Sequence, residues 1–132
     1  MVAESTRPPV VPHRILVVDD SPDAARSMAM VLSLDGHDVQ VAHDGPTTLS
    51  TAFTFQPQVV FLDIGLPGMD GYEIAIQLRR LPGLEDTLVV AVTGYSLETR
   101  RPGTKEARFD HYLTKPVQFE GVRQLIAQQR ET

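Results

Sequence analysis

The sequence predicts an α/β domain in which a doubly wound, five-stranded parallel sheet carries helices on both faces. Three observations support that expectation. Strand-like and helix-like segments alternate five times along the 132 residues, with no internal repeat. Two strands, Val59-Val60-Phe61-Leu62 and Leu88-Val89-Val90-Ala91-Val92, are unbroken apolar runs, the pattern of a strand buried on both sides. Polar residues with chemical capacity follow the strands: Asp19 and Asp20 after Ile15–Val18, Asp63 after Leu62, Thr93 after Val92, and Lys115 after Tyr112-Leu113. In a parallel sheet those carboxyl ends share one edge, and that edge is where such folds bind ligands.

Each element has its own local signals. Residues 1–13 contain Pro8, Pro9 and Pro12 without an apolar period, so they are expected to be a disordered tail or linker ahead of a domain spanning 14–132. After the first strand, Ser21 is an N-cap and Pro22 suits the first helical position. Ala24, Ala25, Met28, Val31 and Leu32 then recur at helical spacing, and Gly36 is the expected stop. Val39 and Val41 alternate with polar neighbours in a short second strand. Asp44-Gly45 opens a helix whose inner face is expected to carry Leu49, Ala52 and Phe53, and Pro57 separates it from the third strand. Gly65, Pro67, Gly68 and Asp70-Gly71 force a loop after Asp63. Tyr72–Arg80 fits an amphipathic helix with Ile74, Leu78 and Leu81 on one side, ended by Pro82-Gly83. A short fourth helix is expected around 97–107, interrupted by Pro102-Gly103. The fifth strand follows, and a last helix over about 119–129 places Phe119, Val122, Leu125 and Ile126 on one stripe.

The bulk numbers exclude several classes. A net charge of −5, from 12 basic and 17 acidic side chains with no basic run, argues against direct nucleic-acid binding. No apolar run is long enough to span a bilayer, and no signal segment opens the chain. The absence of cysteine removes disulfides and zinc–thiolate sites, so a cytoplasmic protein is expected. His13, His37, His43 and His111 lack ligand spacing and are read as non-catalytic.

If the first and third strands are neighbours, Asp19, Asp20 and Asp63 meet, and such a cluster repels itself unless a cation sits in it. Three carboxylates suit Mg²⁺, a hard ion that accepts a few protein oxygens plus phosphate oxygens. A carboxylate can also act as a nucleophile and form an acyl phosphate. Phosphoryl transfer asks chiefly for positioning and charge neutralisation, which Mg²⁺, the Lys115 ammonium and the Thr93 hydroxyl could supply. Asp63 is the expected nucleophile because the Gly-rich loop after it leaves room for a donor. Singly, each of these residues is more often a cap, a strand-end hydroxyl or a surface lysine; only the joint pattern reverses those odds.

Together, DD (19–20), D with LPGMDGYE (63, 66–73), TG (93–94) and YLTKPV (112–117) resemble a response-regulator receiver domain of two-component signalling systems over about residues 14–130. The resemblance implies a flavodoxin-like strand order, 2-1-3-4-5. It implies that Asp63 accepts a phosphoryl group from a histidine kinase or a histidine phosphotransfer protein. It further implies that Asp20, Asp63 and the Gly65 carbonyl bind Mg²⁺, with Asp19 acting through water. Thr93 and Lys115 would contact the phosphoryl group, Thr93 and Tyr112 would form the switch, and Lys115-Pro116 would be a cis bond.

Family members commonly carry a glycine where this chain has Arg108. With Pro102-Gly103, that predicts a short or distorted fourth helix on the surface through which members often signal, together with the fifth strand and the last helix. No output domain follows Thr132, so the expected signal passes by protein contact, from a stand-alone receiver or a receiver segment of a hybrid kinase. Two rivals stay open: a phosphorylation-independent docking module, and an aspartate-dependent phosphatase. The phosphatase chemistry normally wants a second acid two residues after the nucleophile, where Gly65 stands.

Overall fold

A computed structural model describes residues 11–65, 70–94 and 109–128. The elements run β1 (Arg14–Val18), α1 (Pro22–Leu34), β2 (Asp38–Ala42), α2 (Gly45–Phe55), β3 (Val59–Asp63), α3 (Gly71–Arg80), β4 (Leu88–Thr93), β5 (His111–Thr114) and α4 (Phe119–Gln128). The strands form one sheet in the order β2-β1-β3-β4-β5 with every pairing parallel. The expected fold class and strand order therefore stand. The expected helix around 97–107 and Arg108 lie outside the described residues, as do residues 1–10, 66–69 and 129–132.

The period of two along each strand divides the core into two halves. Leu16, Val18, Val60, Leu62 and Val89 face one way, against Ala52 of α2 and Ile74, Ala75 and Leu78 of α3. Ile15, Val17, Val59, Phe61, Val90 and Val92 face the other, against Ala25, Met28 and Leu32 of α1 and Val122 and Ile126 of α4. All five residues of β3 are buried, which is why it reads as a continuous apolar run. Phe61 is 1% exposed, and its truncation to alanine would cost about 3–5 kcal/mol.

Helix boundaries follow their caps. Ser21 Oγ accepts from the Ala24 N–H at 3.3 Å, and Asp44 Oδ1 accepts from the Thr47 N–H at 2.8 Å. Gly36 follows the end of α1 at φ +102°, a conformation glycine adopts without strain. The end of α2 lacks a glycine: Gln56 takes the left-handed position itself, at φ 55°. Its side-chain amide donates to the carbonyls of Phe53 and Pro82.

One inward residue of α2 differs from expectation. Phe53 is 56% exposed, whereas Thr48 is fully buried beside Ala52. Thr48 and Ala52 are four residues apart and share a face, and Phe53 is turned one step away from it. Thr48 tolerates burial because its hydroxyl donates to the Asp44 carbonyl at 2.6 Å. Hydrophobicity alone therefore ranked Phe53 above a threonine whose polar group the helix itself satisfies.

Candidate functional site

The parallel topology brings the predicted residues to one edge. Val18 of β1 pairs with Leu62 of β3, so Asp19 and Asp63 each follow directly after that matched pair. Thr93 of β4 pairs with Thr114 of β5, which puts Lys115 one step beyond the buried hydroxyl. The carboxylates of Asp19, Asp20 and Asp63 gather with ligand oxygens within 4.8 Å of one another, the one such group of metal-ligating side chains among the described residues.

Within the cluster the acids differ in environment. The Asp63 side chain is 7% exposed and has a partner on each oxygen: Oδ1 accepts from the Gly65 N–H at 2.9 Å, and Oδ2 accepts from Lys115 Nζ at 3.0 Å. Asp19 is 13% exposed, with Oδ2 3.8 Å from the same ammonium and Oδ1 accepting from the Ser21 N–H at 2.9 Å. Asp20 faces solvent. Burial pushes the Asp19 carboxyl above its usual value; the Ser21 hydrogen bond and Lys115 oppose that shift, and the neighbouring acids reinforce it. Burial works to lower the Lys115 pKa, but the hydrogen bond to Asp63 and the charges of Asp63, Asp19 and Asp20 outweigh it, so the ammonium is held above its ordinary value.

One ammonium thus serves two buried carboxylates, and the three acids together exceed their cationic partner. The donor set is all oxygen, carboxylate-rich and open to water at Asp20, which fits a hard divalent cation and excludes a soft one. A pocket of about 490 Å³ adjoins the cluster between α1 and α4, running from Asp19 and Lys115 past Ala24 and Met28 to Val117 and Phe119. The peptide bond Lys115–Pro116 is cis, as expected.

Tyr112 lies on β5 rather than in the acid cluster, half-buried and edge-on to Phe109, with ring centroids 5.5 Å apart. His43, read from the sequence as non-catalytic, has a supporting place in the structure. It follows β2 at the same edge, and its ring Nδ1 donates to the Asp19 backbone carbonyl at 2.9 Å, bracing the segment that carries the acids. The available signal was its place directly after a strand; lacking ligand spacing, it was not counted.

Comparison with known proteins places the chain in a family. Residues 15–127 match the family model of the response regulator receiver domain, and the chain belongs to that family. It is 34% identical over 117 residues to the response regulator MprA of Mycobacterium avium, covering 89% of this chain. The chain spans about half the length of the MprA relatives it matches, 49% in that case. It is also 37% identical over 103 residues to an uncharacterised 14.6 kDa protein of Leptolyngbya boryana, covering 78% of this chain and 79% of that one. Among solved structures, the chemotaxis response regulator CheY4 of Vibrio cholerae aligns with a TM-score of 0.81 at 25% identity, over 90% of this chain and 99% of that one. The receiver domain of the sensor histidine kinase PA1611 of Pseudomonas aeruginosa, whose structure has a magnesium ion coordinated in its active-site cleft, aligns with a TM-score of 0.80 at 23% identity, over 90% of this chain and 98% of that one; it speaks for the fold. Receiver domains are signalling switch modules of two-component systems, and no described helix is long and apolar enough to cross a membrane.

Proposed function

We propose that this chain is a phosphoacceptor receiver domain in which Asp63 takes a phosphoryl group from a phosphohistidine of a histidine kinase or a histidine phosphotransfer protein. The observation that carries the reading is the Asp63 carboxylate itself: buried, at the rim of an oxygen-rich acid cluster, with Lys115 Nζ 3.0 Å from Oδ2. In the transfer, an Asp63 oxygen attacks phosphorus, the phosphorus–nitrogen bond of the donor breaks, and the imidazole leaves carrying the bonding pair. The product is an acyl phosphate.

The chain's own residues prepare that step. The Gly65 N–H orients the carboxylate through Oδ1. Lys115 neutralises charge on the transferred oxygens, the role positioned cations play in phosphoryl transfer. The Thr93 hydroxyl donates a hydrogen bond to the phosphoryl group, and its movement lets Tyr112 reorient, biasing a two-state surface. Asp20, Asp63 and the Gly65 carbonyl would hold Mg²⁺ directly, with Asp19 through water. When bound, Mg²⁺ supplies charge neutralisation between the acceptor carboxylate and the incoming phosphoryl oxygens.

The domain is taken as 14–132 with a preceding tail, acting in the cytoplasm. Its output passes to a protein partner through the segment around 97–107, β5 and the last helix.

Intact-protein mass after incubation with acetyl phosphate and Mg²⁺, beside Asp63→Asn, tests the reading. A gain of one phosphoryl group in the wild type only is expected. A gain in both chains would move the nucleophile elsewhere. No gain in folded wild type would favour a docking module that is never phosphorylated.

A further inference from the structure

Three aromatic rings form a ladder that leaves the acid cluster by a route separate from Thr93. Tyr72, in the first turn of α3, meets Phe109 with ring centroids 5.4 Å apart and planes at 62°. Phe109 in turn meets Tyr112 at 5.5 Å and 68°. Both contacts are edge-to-face, the arrangement in which the positive rim of one ring faces the negative face of the next. A ring that turns away from such a contact loses the electrostatic match as well as apolar contact, so the orientation of one ring bears on the next.

Each end of the ladder is held by something specific. At the first end, Asp70 Oδ1 caps the Tyr72 N–H at 2.9 Å. Gly71 packs so closely on Ile64 that a Cβ there would collide with the Ile64 backbone. Ile64 follows Asp63 directly, and its N–H donates to the Val92 carbonyl at 3.1 Å. Gly71 and Ile64 are thus in close contact, so a displacement of the backbone just after Asp63 would press on the start of α3. In the middle, Phe109 is packed on the core and precedes Asp110, whose Oδ2 accepts from the Val89 N–H at 2.8 Å and from Arg79 at 2.9 Å. Phe109 is thus a ring on an anchored backbone. At the far end, Tyr112 sits opposite Ala91 in the sheet, three residues before Lys115.

We propose that Phe109 is a positioning residue that couples Tyr72 to Tyr112, so that β5 senses the state of the Asp63 loop through the start of α3 as well as through Thr93. The inference rests on the phosphoacceptor reading of Asp63. It adds a contiguous path of packed groups, Asp63–Ile64–Gly71–Tyr72–Phe109–Tyr112, of the kind that can carry coupling between distant sites when its end responds to the state of the first.

The chain contains three tyrosines, so 3-fluorotyrosine labelling gives three ¹⁹F resonances, assignable with Tyr72→Phe and Tyr95→Phe. Beryllofluoride with Mg²⁺ serves as the acyl-phosphate stand-in on the whole chain. The Tyr72 and Tyr112 resonances both move in the wild type. In Phe109→Leu, which keeps apolar volume but removes the ring, the Tyr72 shift persists and the Tyr112 shift is reduced, because the edge-to-face contacts that link the two rings are gone. Phe109→Tyr, which retains a ring and adds a fourth resonance recognised by its absence from the wild-type spectrum, restores it. In Thr93→Ala part of the Tyr112 shift survives.

Should Phe109→Leu fail to fold by urea titration, Tyr72→Leu interrupts the ladder from the other side and must also reduce the Tyr112 shift. A wild-type-sized Tyr112 response in a folded ring-deleted variant overturns the inference, as does a Tyr72 resonance that never moves. Acetyl phosphate uptake by mass separates the two levels: uptake with an undiminished response sinks only the ladder, whereas no uptake in wild type removes the phosphoacceptor reading and the ladder with it.

Discussion

The two ends of the sheet treat polar groups in opposite ways. At the edge where the strands begin, several polar groups among the described residues meet matched partners. The Arg14 N–H donates to Gln58 Oε1 at 2.9 Å and its Nε to the Gln56 carbonyl at 2.7 Å. The Thr87 hydroxyl donates to the Pro57 carbonyl at 2.9 Å. The His13 N–H donates to His37 Nδ1 at 3.1 Å, and Asp110 ties the Arg79 guanidinium to the Val89 N–H. At the edge where the strands end, three carboxylates crowd around one lysine, and burial makes the Asp19 charge less favourable than in water. The first edge holds the fold together, and the second stores repulsion that a cation would relieve. Binding chemistry is paid for in stability at one end of the same strands and secured at the other.

The largest expected effect lies at the stabilising edge. Arg79 is 8% exposed and bonds Asp110 together with the carbonyls of Glu85 and Thr87. Arg79→Met leaves those acceptors without their partner and is expected to cost about 2–3 kcal/mol in urea unfolding, with an unchanged m-value. A loss below about 0.5 kcal/mol would break the contrast between the two edges.

At the other edge the sign reverses. The folded-state pKa of Asp19 lies above its value in the unfolded chain, so its ionised form is disfavoured by folding at neutral pH. Asp19→Asn is therefore expected to raise Tm in metal-free buffer while weakening Mg²⁺ binding about 10–100-fold, the range for removing an outer-sphere carboxylate. Calorimetry with and without Mg²⁺ reads both quantities. A lower metal-free Tm would mean the cluster is not a store of repulsion.

The smallest effect sharpens the stabilising edge. His37 is buried, its Nδ1 accepts a backbone hydrogen bond, and burial together with His13 holds its pKa below 6.5 against the opposing charge of Asp35. The unfolded chain then binds more protons than the folded one below about pH 6.5. Stability from this group is complete above that pH and declines as pH falls through the depressed folded-state value. His37→Asn retains an acceptor but does not titrate. The difference between its pH profile and that of the wild type should appear only below about pH 6.5 and vanish above it. Parallel profiles from pH 7.5 to 5.5 would remove His37 from the argument.

Much of this was legible in the residues. Continuous apolar runs at Val59–Leu62 and Leu88–Val92 announced buried parallel strands, since only a strand covered on both faces tolerates such a run. Ser21-Pro22 and Asp44 marked helix starts because their oxygens satisfy N–H groups that a helix leaves open. The meeting of Asp19, Asp20, Asp63 and Lys115 followed from topology, because parallel strands place their ends together whatever the intervening helices contain.

Other features depended on distance in space rather than position in the chain. Nothing local to Phe53 or Thr48 says which of them faces the core; the rotation of α2 against the sheet decides it. The pairing of His13 with His37, of Arg79 with Asp110, and of Tyr72 with Phe109 and Tyr112 joins side chains from separate elements. Sequence by itself determined the alternation, the caps and the edge at which the acids meet, because periodicity and capping act within a few residues. Only the tertiary structure decided which polar groups are neutralised, which are left crowded, and which rings touch, because burial and Coulomb interaction depend on separations that the order of residues does not record.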